Sequence, residues 1–228
     1  MWDLRSQHPQ GQLNLHSPYL CAYDGTATVL AIASLAAQSI LLYDVRNYDK
    51  SPFATFDLRP AADAVATAQG LQTQGEWTKL EFSNDCKNIL VATNGPGHYL
   101  IDAFEGKLEA YCARPQGPTN RIPPSELGVL RERQRSKSGG RASSQGDACL
   151  SPDGRYVIGG SGENGLFVWD VQQAAAAAAE GEGRILRPTC ELSSKSAGSA
   201  SVVAYNPRHN MMCTADRAVV FWLPEVDV

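Results

Sequence analysis

Residues 149–170 read CLSPDGRYVIGGSGENGLFVWD: three short runs rich in apolar and β-branched residues, parted by Pro-Asp-Gly and a glycine-rich link, and closed by Trp169-Asp170. The runs are too short for helices, and the dipeptides between them favour turns, so the stretch reads as three strands joined by tight connections. The same succession recurs on either side. Upstream it is CAYDG, VLAIAS and SILLYD (21–44), then LEFSND, NILVAT and HYLID (80–102); downstream it is VAYNPR, MMCTAD and AVVFWL (203–223). A fourth candidate strand follows each closing aspartate: QLNL (12–15) behind Trp2-Asp3, PFATF (52–56) behind Tyr43-Asp44, LEAYC (108–112) behind Ile101-Asp102 and TCELS (189–193) behind Trp169-Asp170.

Four-stranded units ending in Trp-Asp or an equivalent pair, spaced by roughly 40 residues before insertions, are the pattern of WD-repeat propeller blades. The chain is therefore read as all-β, a partial WD-repeat β-propeller. Its expected organisation is a remnant of an upstream blade (1–17), blades at 18–58 and 76–112, and a Pro-rich, basic insertion at 113–147. A blade at 148–192 with an Ala-rich loop at 172–183 follows, then an incomplete last blade at 199–224. Met1 falls inside what should be the last inner strand of a blade. The expectation is a piece of a longer array, with about 120 to 135 residues, or three blades, upstream. An open arc leaves apolar blade faces and unpaired strand edges in water, so the piece alone is expected to aggregate or to unfold broadly.

With 228 residues, 43% hydrophobic, 19% charged and a formal net charge of −4, the composition suits one globular domain. There is no basic excess to suggest bulk nucleic-acid binding, no apolar run of membrane-spanning length and no signal-peptide pattern at Met1–Arg5. The expectation is an intracellular protein with no membrane partner, no direct nucleic-acid binding and no built-in homo-oligomer. Six cysteines (Cys21, Cys86, Cys112, Cys149, Cys190, Cys213) fall one per strand or turn without a CxxC pair, so each reads as a small buried hydrophobe. His8, His16, His98 and His209 are too dispersed for a metal cluster, and His209 sits in a turn-forming context that predicts exposure.

Enzyme motifs fail on context. Gly160-Ser161-Gly162-Glu163-Asn164-Gly165 matches G-x-G-x-x-G, but a dinucleotide site needs a helix next and here the strand LFVWD follows, so the glycines read as a hairpin connection turning at Asn164-Gly165. Glu163 also stands where a nucleophile elbow needs its second glycine. Asp44, Asp102 and Asp170 are expected to accept hydrogen bonds at strand ends rather than to catalyse. A propeller hydrolase would gather polar groups at equivalent turns, and those turns offer Leu35, Asn94, Glu163 and Asp216, too mixed a set for a site. A non-catalytic scaffold, with no metal and no cofactor, is the favoured class.

No long amphipathic helix is visible. The six alanines of Ala174–Ala179 are read as loop, and Ala61–Gly75 carries no clear signal. The insertion holds Pro115, Pro118, Pro123 and Pro124 and then RERQRSKSGGR (131–141). Such a segment reads as solvated padding. Its functional alternative is a contact for phosphate groups on a partner, with Arg131, Arg133, Arg135 and Lys137 as the candidate partner-binding residues.

WDLRS (2–6), LYDVRNYDKSPFATF (42–56), EWTKLEFSND (76–85), LIDAFEGK (100–107) and FWLPEVD (221–227) together resemble the WD repeat-containing protein 82 family. SPFATF and FWLP are more specific than the Trp-Asp endings, and the likeness runs the length of the chain. The resemblance implies about four of seven blades, the last four. It implies a non-catalytic, nuclear subunit of the COMPASS histone lysine-4 methyltransferase complex and, in fungi, of the cleavage and polyadenylation factor. In animals the family also accompanies a protein phosphatase 1 complex in transcription termination. The chain departs from the family at Cys86, where a glycine is expected, in the length of 113–147, and in the absence of the first three blades.

Overall fold

Three tight turns fold the chain back at equivalent points. Ala27, Cys86 and Gly154 adopt positive φ of 56°, 59° and 71°. Their amides donate to the carbonyls of Asp24, Ser83 and Ser151 at 3.0, 2.9 and 2.9 Å. Only the third of these turns has the glycine that this backbone region favours. A carboxylate braces each: Asp24 Oδ1 accepts from the amides of Thr28 and Val29, and Asp85 and Asp153 accept from Ser83 and Ser151 and from the amides of Lys87 and Arg155.

In the computed structural model, residues 5–9, 11–15, 19–70, 75–115, 146–160, 165–173, 185–193, 200, 202–215 and 218–225 are described. The first sheet is β1 (Tyr19–Tyr23), β2 (Val29–Ser34), β3 (Ser39–Asp44) and β4 (Ala54–Asp57). The second is β5 (Trp77–Phe82), β6 (Asn88–Thr93), β7 (Gly97–Asp102) and β8 (Leu108–Ala113). The third is β9 (Ala148–Leu150), β10 (Tyr156–Gly160), β11 (Gly165–Asp170) and β13 (Cys190–Ser193). A last sheet of three holds β14 (Val202–Tyr205), β15 (Met212–Ala215) and β16 (Val219–Trp222). Neighbours within each meander are antiparallel. The first strands β1, β5, β9 and β14 lie beside one another in that order, so the sheets stack around a shared inner edge as propeller blades do. β10 and β11 run antiparallel with no helix after Gly165, as the hairpin reading of the glycine-rich motif requires; residues 161–164 lie outside the described residues.

Alternation along each strand sends successive side chains to opposite neighbours. In β6, Ile89 and Val91 enter the core shared with the first sheet, while Leu90 and Ala92 enter the core shared with the third. Val203, Tyr205, Met212 and Trp222 of the last sheet meet Cys149, Ile158 and Leu166 of the third.

Four features differ from the sequence reading. Residues Arg59–Gln69 form a helix, α1, which overlaps the stretch Ala61–Gly75 that carried no clear signal. Pro60 suits its first turn, Gly70 at φ 63° ends it, and Ala62 and Val65, three residues apart, bury one narrow stripe. A two-residue strand, β12 (Ile185–Leu186), leaves the third unit and pairs in parallel with Tyr111 and Cys112 of β8, giving the second sheet a fifth strand. QLNL joins no ladder; Leu13 and Leu15 pack instead on Leu30, Ile32 and Tyr43 of the first sheet. Cys112 and Cys149 are buried as expected, but Cys21 and Cys190 are exposed and Cys86 and Cys213 half-buried, because they lie on an outer sheet face, an edge strand or a turn. Burial pushes the Cys149 thiol up to about 12, with the Glu81 carboxylate adding to it.

Candidate partner-binding face

The order of strands assigns every connection to one of two ends of the stack. The turns after β1, β5, β9 and β14 and the links after β3, β7 and β11 share one end. There the closing aspartates act as expected: Asp44 accepts from Arg46 N, Asp102 from the amides of Phe104 and Glu105, and Asp170 from Gln172 N and the Arg155 guanidinium. The opposite end carries α1, between β4 and β5, and the two roots of the long insertion, at the end of β8 and the start of β9. It is the end with the more elaborate connections, and it is the candidate face for a partner. Arg131, Arg133, Arg135 and Lys137 lie outside the described residues, so what can be built is the pair of roots from which their segment leaves and to which it returns.

The departing root is Arg114, just past β8 and 4% exposed. Its amide donates to Pro96 O at 2.8 Å, and its Nη1 donates to Gly95 O at 2.6 Å. Nη2 lies 3.0 Å from His98 Nε2. His98, fully buried, accepts at Nδ1 from the Thr93 amide at 3.1 Å. Its ring stands edge-on to Trp169 with centroids 5.7 Å apart. Thr93 Oγ1 donates to Gly97 O and accepts from Gly95 N. These contacts bind the β6–β7 turn to the end of β8 and fix the direction in which the insertion sets out.

The returning root is Asp147, just before β9. Its Oδ2 accepts from Val203 N of β14 at 2.9 Å, while Oδ1 lies 3.4 Å from Lys79 Nζ of β5. Lys79 also reaches Glu81 Oε2 at 2.9 Å and donates to Ala148 O at 3.1 Å. Burial pulls the Lys79 ammonium down, but the carboxylates of Glu81 and Asp147 outweigh it and the group is held above its ordinary range. Three successive inner strands are thus laced together where the insertion comes back. The arrangement positions chain; it holds no nucleophile with a base.

Sequence reasoning missed this pair of roots. Lys79 and Glu81, two apart in a strand, were legible as one face, but nothing in the sequence places Asp147 or Val203 beside them. His98 was read only as too isolated for a metal. Leu35 packs against the first core, and Asn94 Oδ1 accepts from Glu76 N at 2.7 Å, so both serve structure; Glu163 and Asp216 lie outside the described residues. His209 is exposed, as its turn context predicts. No described helix is long and apolar enough to cross a membrane.

No family model matches the chain. Similar proteins include an uncharacterised WD repeat-containing protein of Schizosaccharomyces pombe, 32% identical over 99% of this chain and 59% of its own length. WD repeat-containing protein 82 of Drosophila melanogaster is 29% identical over 98% of this chain and 56% of its own length. COMPASS component SWD2 of Saccharomyces cerevisiae is 26% identical over 98% and 57%. The chain spans somewhat more than half the length of these relatives. With its stacked antiparallel sheets and a likeness that runs through all of them, the chain is similar to WD-repeat proteins that include WD repeat-containing protein 82 and SWD2.

Proposed function

We propose that this chain is a non-catalytic WD-repeat subunit of a nuclear histone lysine-4 methyltransferase complex. The observation that carries the reading is the near-complete alignment of the chain with proteins named as a COMPASS component and a Set1 complex component. The geometry agrees with it: the polar groups at the candidate face are spent on holding strands and turns together, which suits a surface that presents loops to other subunits. Within this reading the insertion is the recognition element, with Arg131, Arg133, Arg135 and Lys137 contacting acidic or phosphorylated segments of a partner. A role in pre-mRNA 3′-end processing follows from the family resemblance alone.

The test is copurification of the chain, tagged in cells at its own locus, with histone lysine-4 methyltransferase activity and with cleavage and polyadenylation subunits. Recovery of the first supports the proposal, recovery of the second extends it, and recovery of neither sinks it. Replacing Arg131, Arg133 and Arg135 by glutamate should weaken the association and reduce its salt dependence. An unchanged association returns the insertion to padding.

A further inference from the structure

Asn-Gly occurs twice in the sequence, at 94–95 and 164–165. Glycine has no Cβ to shield its amide nitrogen, so in a free chain that nitrogen readily reaches the carboxamide of an asparagine before it. Asn94-Gly95 lies wholly among the described residues, in the turn between β6 and β7, and there the reacting groups are engaged. Gly95, buried, donates its N–H to Thr93 Oγ1 at 3.0 Å, and its carbonyl accepts from Arg114 Nη1 at 2.6 Å. Asn94 Oδ1 accepts from Glu76 N at 2.7 Å and Asn94 N donates to Glu76 O at 3.0 Å, so side chain and backbone are both fastened to the start of β5. Gly75 presses on the same turn: a Cβ there would lie 2.3 Å from Gly95 Cα. Ring closure needs Gly95 N to leave Thr93 and swing towards Asn94 Cγ, and the close backbone of Gly75 stands against that rotation.

We infer that Asn94 is a conditional modification site, where the carboxamide cyclises with Gly95 N only when the β6–β7 turn opens. In that step Gly95 N gives its proton to water and bonds to Asn94 Cγ. The Cγ–Nδ2 bond breaks and the nitrogen leaves as ammonia, taking up a proton in turn, to give a succinimide. Water then opens the ring at either carbonyl, to aspartate or to isoaspartate, whose main chain is longer by a methylene. Only water is consumed. The isoaspartyl product lengthens a turn that Thr93, Glu76 and Arg114 hold to one spacing, and so keeps it open. Because Arg114 is the departing root of the insertion, a chain altered in this way carries a lasting record that the root has come apart. The inference stands apart from the identity of the complex.

The test follows deamidation of Asn94 in the whole chain at neutral pH by tryptic mapping, since Lys87 and Lys107 bracket the peptide 88–107. The same peptide, made synthetically, sets the rate without the fold. In the folded chain the rate should be at least about tenfold lower, as for an amide that reacts only through a local opening. Urea should raise it to that of the peptide. Thr93→Val removes the hydroxyl while keeping the shape and should raise the rate in chains that remain folded by circular dichroism; Thr93→Ser should keep it low. Equal rates in the folded chain and the peptide overturn the inference. So does a folded Thr93→Val chain that deamidates no faster than the parent, or a Thr93→Ser chain that deamidates as fast as Thr93→Val. Should Thr93→Val not fold, the comparison of parent chain with peptide decides alone.

Discussion

Trp169 of the third sheet donates from its indole Nε1 to the carbonyl oxygen of Ala113 at the end of β8 in the second, 3.1 Å away. The ring is fully buried, edge-on to both His98 and Phe167. The tryptophan of the Trp-Asp ending thus belongs to two blades at once. Trp169→Phe keeps most of the apolar volume and leaves a buried carbonyl without its donor. It should cost about 1–3 kcal/mol in urea unfolding, and Trp169→Ala about 3–5 kcal/mol. A negligible loss for Trp169→Phe would mean that the hydrogen bond contributes nothing beyond packing.

Two glycines separate backbone strain from steric conflict. Gly70 and Gly106 have positive φ of 63° and 69°. A Cβ on Gly70 meets nothing within 4 Å, whereas one on Gly106 would lie 2.2 Å from a Phe56 ring carbon across the first and second sheets. Gly70→Ala should cost about 1 kcal/mol, the strain of a left-handed alanine. Gly106→Ala should cost at least about 2–3 kcal/mol, because the ring must move as well. Denaturant midpoints for the pair provide the comparison.

Cys86 offers the opposite experiment. It occupies the left-handed position that Gly154 fills in the next unit. Cys86→Gly should stabilise the chain by about 0.5 kcal/mol, the relief of strain being partly offset by the greater freedom of glycine in the unfolded chain. A net loss would show that the weak contact from its sulfur to Asp24 matters more than the backbone.

Acid should weaken the fold through the turn aspartates. Burial opposes ionisation of Asp24 and Asp85, but hydrogen bonds from Thr26 and neighbouring amides, and from Ser83 and Lys87 N, hold both below the usual range. Asp153 is held down chiefly by Ser151. Carboxyls depressed in the folded state stabilise it above their unfolded pKa of about 3.9, and that stability is lost as pH falls through the folded values. Melting temperature should be nearly level from about pH 7 to 5 and drop below about pH 4. Changing all three to asparagine should lower the plateau and flatten the acid limb; an unaltered limb would place the acid sensitivity elsewhere.

Strand positions were legible in the sequence where an apolar run is bounded by turn residues on both sides. VLAIAS, SILLYD, NILVAT and GLFVWD are strands over those same residues. The aspartate caps were legible as well, because a carboxylate behind a strand end has local amides to bind. What escaped depends on contacts distant in sequence. α1 is held by Leu58, Ala62 and Val65 in a core built mainly by two sheets. β12 exists only because β8 offers it an edge. The roots of the insertion join residues as far apart as Lys79 and Asp147, or Asp147 and Val203, which no local pattern records.

That parallel strap has a mechanical meaning. A stack of sheets touching only their neighbours can come apart at any junction, each one a separate fault line. Residues 185–186 belong by sequence to the third unit and by ladder to the second, so pulling those two apart means unzipping a strand as well as separating faces. The middle pair is thereby welded into one block, and the seams along which the array can shear are displaced to its flanks, between β4 and β5 and between β13 and β14.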